Sequence, residues 1–389
     1  MDLPLHPPSS TRFPAGHLRV ARVALAALCA TLATAPLRPQ SVDRAVDALI
    51  ESYAPATGRA DDAIEGLLDA IEGSPRSPVT EMLFAQLGAL LPLAEDPAAL
   101  VAPLRTLAAR EDLHGLGRNL ALLVGRRLSR VLGLEPAPEF TDPYAAYATR
   151  WLAIGPFGDS GNFHDGVAFG PERSFPAPGE TRPGRAGQPA RSRALEREPS
   201  DMRVDFGVDL ERPEGCHYGL HQTRAAVPTA CYLEVVCGGS FELFLNGTRL
   251  ATIDRLAAWP GEAVRIPATL DAGANHVLVK TNFDSGHAVG LRYVDALGRP
   301  LQGLEELPAD AVHDRLGTVG DRPPAPEPFV DGVDVLARVA ERSGQPAHLA
   351  VAALSSLRDS RTDLGLELLR AASAVDAPPP RVGLVLAQA

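Results

Sequence analysis

Phe241-Glu-Leu-Phe-Leu-Asn246-Gly247-Thr-Arg-Leu-Ala-Thr-Ile253 is the stretch on which the fold turns. Phe241, Leu243 and Leu245 alternate with Glu242 and Phe244, the period of two expected of a strand. Asn246-Gly247 then supplies the two positive-φ positions of a tight hairpin before the chain returns over Thr248 to Ile253. Outward from this hairpin, strand-like segments recur at Arg203 to Val208, His217 to Ala226, Thr229 to Cys237, Ala263 to Ile266, His276 to Thr281 and Ala288 to Val294. Turn residues separate them at intervals of about eight to twelve residues, which is how an antiparallel sandwich is written in sequence. Upstream, Trp151-Leu-Ala-Ile-Gly155-Pro156-Phe157 is apolar on both faces and predicts an internal strand whose ladder ends at the proline.

The sandwich lies between helical segments. Val42 to Tyr53, Asp61 to Ile71, Val79 to Leu91, Pro97 to Ala109 and Leu113 to Leu132 carry amphipathic spacing, clearest in Ile64, Leu67, Leu68 and Ile71. Beyond the sandwich, Leu349, Ala352, Ala353 and Leu357 form one stripe, and Leu364, Leu366, Leu368 and Leu369 another. The expected fold class is therefore multidomain α and β. A helical domain spans 41–134, an antiparallel β-sandwich of jelly-roll type spans 150–304, a proline-rich linker spans 321–328, and a partial helical repeat spans 329–389. Residues 170–199, rich in Pro, Gly, Arg and Glu without periodicity, are expected to form a mobile loop long enough to cover or border a site. Arg381 to Ala389 begins an apolar helix without the polar cap of a finished repeat, so the chain is expected to be the front of a longer protein or a shortened gene product.

Composition narrows the function. With 389 residues, 45% of them hydrophobic, the chain can build two or three cores. A net charge of −11 without a basic stripe argues against nucleic acid. Lys280 is the only lysine. His17, Arg19 and Arg22 precede the apolar run Val23 to Leu32 and the small residues Ala33 to Ala35, so residues 1–35 read as a bacterial-type export signal. The alternative is an alanine-rich helix. The run is shorter than the ~20 residues of a membrane span, and none is expected in the mature chain. Cys216, Cys231 and Cys237 would remain, either as buried thiols or with Cys216 paired to one of the other two.

Histidines invite a search for catalysis. His164-Asp165 near Asp159, and His217 with His221, are the groupings available. The second pair falls in a predicted strand, where residues four apart lie about 13 Å from each other and cannot share a metal as they would on a helix. No His-Glu-x-x-His, Gly-x-Ser-x-Gly or phosphate-cradling glycine motif occurs. Neither catalytic nor metal residues are assigned, and no enzyme activity is expected.

Trp151 to Phe157, Phe241 to Gly247 and Ala272-Gly273-Ala-Asn275-His-Val-Leu-Val-Lys280 together resemble galactose-binding-like jelly-roll domains over about Trp151 to Leu304. The C-terminal helices resemble tetratricopeptide repeats. The resemblance implies a carbohydrate-binding accessory module of the kind found in secreted planctomycete-type bacterial proteins, periplasmic, cell-surface or extracellular. A sugar site needs an aromatic face for C–H groups and polar groups aimed at hydroxyls. Trp259, Phe283, Asp284 and His287, in predicted loops, are the candidates, although Trp259 would equally plug the sandwich end and Phe283 join the core. No cofactor is expected. A structural calcium on Asp205, Asp209 and Asp284 is implied only by some relatives of the fold. Three functions stay open: an exported module binding a glycan, a scaffold engaging a protein partner through its helical segments, and the accessory front of a hydrolase or transglutaminase-like enzyme.

Overall fold

The computed structural model describes residues 39–53, 59–115, 117–134, 144–158, 166–199, 201–211, 214–253, 263–281, 287–309, 324–358 and 362–374. The expected export signal, Asp159, His164, Asp165, and the tail from Arg381 lie outside the described residues. The N-terminal helices are α1 (Pro39–Tyr53), α2 (Ala60–Gly73), α3 (Thr80–Leu90), α4 (Val101–Ala108) and α5 (Gly117–Val131). Each follows the apolar stripe that predicts it, and Ile64, Leu67 and Ile71 of α2 are buried as their spacing requires. Among the described residues no helix is long and apolar enough to cross a membrane.

The strands are β1 (Arg150–Phe157), β2 (Thr181–Pro183), β3 (Pro189–Arg191), β4 (Arg193–Glu196), β5 (Val204–Asp205), β6 (Cys216–Ala225), β7 (Thr229–Cys237), β8 (Phe241–Leu245), β9 (Thr248–Ile253), β10 (Ala263–Leu270), β11 (Gly273–Thr281), β12 (Ala288–Val294) and β13 (Glu305–Glu306). One sheet runs β4-β1-β6-β11-β8-β9 with β13 added on β6, and the other runs β10-β7-β12-β5. Phe241, Leu243, Leu245, Val277 and Val279 face Leu233, Val235, Val289 and Leu291 across the sandwich core. Asn246 and Gly247 turn the β8–β9 hairpin at φ 51° and 79°. Pro267 is tolerated because β10 is an edge strand.

Some expectations change in the folded chain. The strand expected over Arg203 to Val208 keeps only Val204–Asp205, because Asp205 Oδ1 accepts the Gly207 amide at 2.8 Å and turns the backbone. Residues 170–199 are built rather than structureless, holding a helical turn at Gly170–Arg173, the β2–β3 hairpin and β4. Polar side chains do this work instead of an apolar stripe. Glu180 Oε2 accepts the Ala177 amide at 3.0 Å, Ser192 Oγ donates to the Ala177 carbonyl, and Arg185 Nη1 donates to Glu214 Oε2 at 3.0 Å. Cys216, Cys231 and Cys237 are buried thiols outside any disulfide, and burial pushes the Cys231 thiol up to about 12.

The C-terminal helices α6 (Gly332–Ser343), α7 (Pro346–Arg358) and α8 (Thr362–Ser373) do not form a core of their own. Leu336, Ala340, Ala350, Ala353 and Leu368 join Leu49, Leu67, Leu83 and Leu107 in one cluster, so both ends of the chain make a single helical unit. Leu366, two positions from Leu364 and Leu368, is 37% exposed, as the 3.6-residue helical period dictates.

That unit docks on the outer face of the β10-β7-β12 sheet through buried charge. Glu234 of β7 accepts both Nε and Nη2 of Arg292 and, at 2.8 Å, Nε of Arg265. Arg265 Nη2 reaches Glu81 of α3 at 2.7 Å, Arg292 Nη1 reaches Asn119 of α5 at 3.1 Å, and the Tyr147 hydroxyl donates to Glu234 at 3.1 Å. Phe329, in the extended segment after the expected linker, lies 4.4 Å beneath the Arg265 guanidinium. Backbones meet nearby. The Gly115 amide donates to the Leu297 carbonyl, and a Cβ on Gly298, at φ +71°, would stand 2.3 Å from Gly115 Cα.

Acid weakens this junction in two stages. Burial, reinforced by Arg265, lowers His114 to about 3, so His114 stays neutral and its 3.9 Å approach to Glu81 is not an ion pair. Its folded pKa lies below its unfolded value, so stability is lost as pH falls below about 6.5, and buried His221 shifts the same way. Burial raises Glu234, but Arg292 and Arg265 outweigh that and hold it at about 2, adding a second loss below about 4.5. Denaturant melts across pH should therefore show a two-stage acid limb. His114→Asn should remove about 2 to 3 kcal/mol of the fall between pH 6.5 and 4.5. A limb unchanged in the variant would contradict this assignment.

Candidate functional site

On its outer face, away from the sandwich core, the large sheet presents side chains in cross-strand rows. Register aligns Leu152 with Leu220, Leu220 with Leu278, and Leu278 with Phe244, so four strands contribute one apolar row. One step along the strands, Gln222 pairs with His276 in a polar row. One step the other way, Ile154, Tyr218, Lys280 and Glu242 align in a row that is mostly charged or hydroxylated. Strand alternation alone puts these residues on the same face, since each is two positions from its neighbour along its own strand.

A cavity of about 290 Å³ lies over the apolar row, roofed by residues 171–176 and lined by Leu152, Leu220, Leu278, Phe244, Gln222 and His276. The roof is fixed at its N-terminal side by the charged row. Lys280 Nζ, fully buried, donates to Glu242 Oε2 at 3.1 Å and to the Val167 carbonyl at 2.8 Å, with Glu172 Oε1 at 3.5 Å. Glu242 Oε1 accepts the Gly166 amide at 2.6 Å. The Tyr218 hydroxyl donates to Glu172 at 2.6 Å, and burial together with that bond raises its pKa, so the phenol keeps its proton. Sheet and roof are thus joined by hydrogen bonds that converge on one lysine and two glutamates.

The side chain of Gln222 is 2% exposed and lines the cavity, yet neither Nε2 nor Oε1 has a hydrogen-bond partner among the described residues. Buried amides are almost always satisfied, and one left unpaired costs roughly 1–3 kcal/mol. The amide carries two donor hydrogens and an acceptor, both polar atoms shielded from bulk solvent, beside an apolar floor.

The residues proposed from sequence fall elsewhere. Trp259, Phe283 and Asp284 lie outside the described residues. His287 is described and is buried at 3% exposure, its Nδ1 2.9 Å from Thr281 Oγ1 and its ring 4.1 Å from that of His217. His221 faces the Arg150 carbonyl at 3.1 Å and Glu306 at 3.4 Å. Asp205 caps a turn and Asp209 adopts φ 60°. Sequence reasoning passed over Gln222, His276 and Phe244. The signal available was the apolar character of both faces of β1, which implies that the outer face is also covered.

No family model matches this chain, and no curated protein matches it. Among solved structures, a family 35 carbohydrate binding module from an environmental isolate is similar at 16% identity over 23% of this chain and 70% of that one, with a TM-score of 0.20. Likeness at that level carries no weight for fold or function, which rest on the geometry of the sheets and the cavity.

Lys280→Met leaves Glu242 buried with Arg249, 3.7 Å away, as its one cation among the described residues. The expected loss is on the order of 3 kcal/mol in chemical denaturation, with faster amide exchange over residues 166–172. Adding Glu242→Met should recover part of that loss. Wild-type stability in the single variant would refute the pinning role.

Proposed function

We propose that this chain is a binding protein whose sandwich takes one sugar ring in the cavity beneath residues 171–176. The unpartnered amide of Gln222 carries this reading. A neutral sugar offers what the cavity lacks: vicinal hydroxyls that can donate to Oε1 and accept from Nε2, and a C–H face to lie on Leu220, Leu278 and Phe244. At about 290 Å³ the space lies at the small end of ligand cavities, which begin at roughly 300 Å³, and suits one ring more than a folded chain. His276 and Ser174 add polar groups at the margin. The role is non-catalytic recognition. Export, supported by the charged, apolar and small-residue pattern of residues 17–35, would bring the site to environmental or cell-surface glycans.

A glycan array followed by calorimetry on the hits tests this. Gln222→Leu should weaken binding about tenfold or more, the loss of two neutral hydrogen bonds, while leaving thermal stability equal to or above wild type because an orphan amide is removed. Binding that survives Gln222→Leu but is lost in Trp259→Ala would move the site to the loops. An array without hits would overturn the sugar reading.

A further inference from the structure

A second depression, about 410 Å³, opens where β1 ends against the β2–β3 hairpin. Its lining includes Arg185, Arg191 and Arg193 with Gln188, against one carboxylate, Glu211. In a chain of net charge −11, the lining of this depression holds three arginines and one glutamate, although Glu214, Asp205 and Asp209 stand behind two of the arginines. The three guanidiniums are held differently. Arg185 is paired with Glu214 at 3.0 Å. Arg193 spends Nη1 and Nη2 on the neutral carbonyls of Val208 and Phe206, feels Asp209 and Asp205 only through space, and has a buried Nε with no acceptor. Arg191, exposed on β3, makes no ion pair among the described residues.

Among the described residues two of these cations therefore lack a bonded counter-charge, and Arg193 is anchored by backbone so that it cannot swing away. Gly184 keeps the hairpin close to β1, since a Cβ there would stand 2.8 Å from the Pro156 and Gln188 carbonyls. A planar guanidinium fork is the group best matched to a carboxylate, sulfate or phosphate, to which it donates in pairs. We propose that the depression between Pro156 and the Arg185–Arg193 hairpin is an oxyanion-binding site, separate from the cavity under residues 171–176. It takes a small molecule bearing a carboxylate, sulfate or phosphate group, with Arg191 as the donor, Arg193 as a fixed positive charge held by the Val208 and Phe206 carbonyls, and Gln188 as a neutral hydrogen-bonding neighbour. The inference does not rest on the sugar reading.

Calorimetric titration of the full chain with inorganic sulfate, inorganic phosphate and glucuronate, at constant ionic strength set with chloride, tests it. Saturable one-to-one binding of at least one probe is expected, weakened by added salt. Arg191→Gln, at an exposed position, should leave thermal stability unchanged and reduce affinity roughly tenfold, the loss of a charge-assisted hydrogen bond. Arg185→Gln should weaken binding less, and Gln222→Leu should not affect it. Glucuronate binding with inorganic ions silent identifies a carboxylated ligand, whereas the reverse identifies a free ion, and either supports the site. No saturable binding by any probe, or equal affinity in Arg191→Gln, overturns it.

Discussion

Glu234, fully buried at the centre of β7, is the group around which the two halves of the molecule are arranged. A carboxylate removed from water costs several kcal/mol unless it is met by charge and hydrogen bonds, and here two guanidiniums and a phenol meet it. Those guanidiniums then need partners themselves, and the helices supply them through Glu81 and Asn119. The outer face of the β10-β7-β12 sheet is charged along this row, so it requires the helical unit to cover it. The Gly115–Gly298 contact lets the backbones come close enough for that to happen.

The opposite sheet solves the same problem with its own helical turn and hairpin. Its outer rows are polar, apolar and charged in sequence, and residues 166–176 close over the last two. Lys280 again satisfies a buried carboxylate, Glu242, while drawing the Val167 carbonyl onto the sheet. The first row is left incomplete. On the face roofed over a cavity, Gln222 is a buried amide in which neither Nε2 nor Oε1 has a partner among the described residues. That unsatisfied amide is what makes the cavity the place to look for a ligand.

The sandwich was legible because its signals are local. Alternation in Phe241 to Leu245, the Asn246-Gly247 turn and the two-sided apolar run of Trp151 to Ile154 each need only a few neighbouring residues to act. The helical spans were legible for the same reason, since Ile64, Leu67 and Ile71 report their own burial through the 3.6-residue period. Residues 170–199 resisted reading because Ser192, Glu180 and Arg185 fix the backbone through side-chain hydrogen bonds, which leave no periodic trace. The candidate site resisted too. Leu152, Leu220, Leu278 and Phe244 come from four separate strands, and their alignment exists only once register is set.

Sequence by itself thus determined the class of the fold, a β-sandwich between helical segments, and most of its strand and helix spans, because propensity, turn chemistry and periodicity are short-range. Tertiary structure alone decided that helices from both ends of the chain share one core. It also decided that Glu234 and Lys280 are buried at the centres of ionic networks, and that Gln222 lines a cavity without a partner among the described residues. These are properties of residues far apart in the chain. Whether a charge is paired or an amide satisfied depends on which distant side chains packing brings within about 3 Å, and no local pattern encodes that.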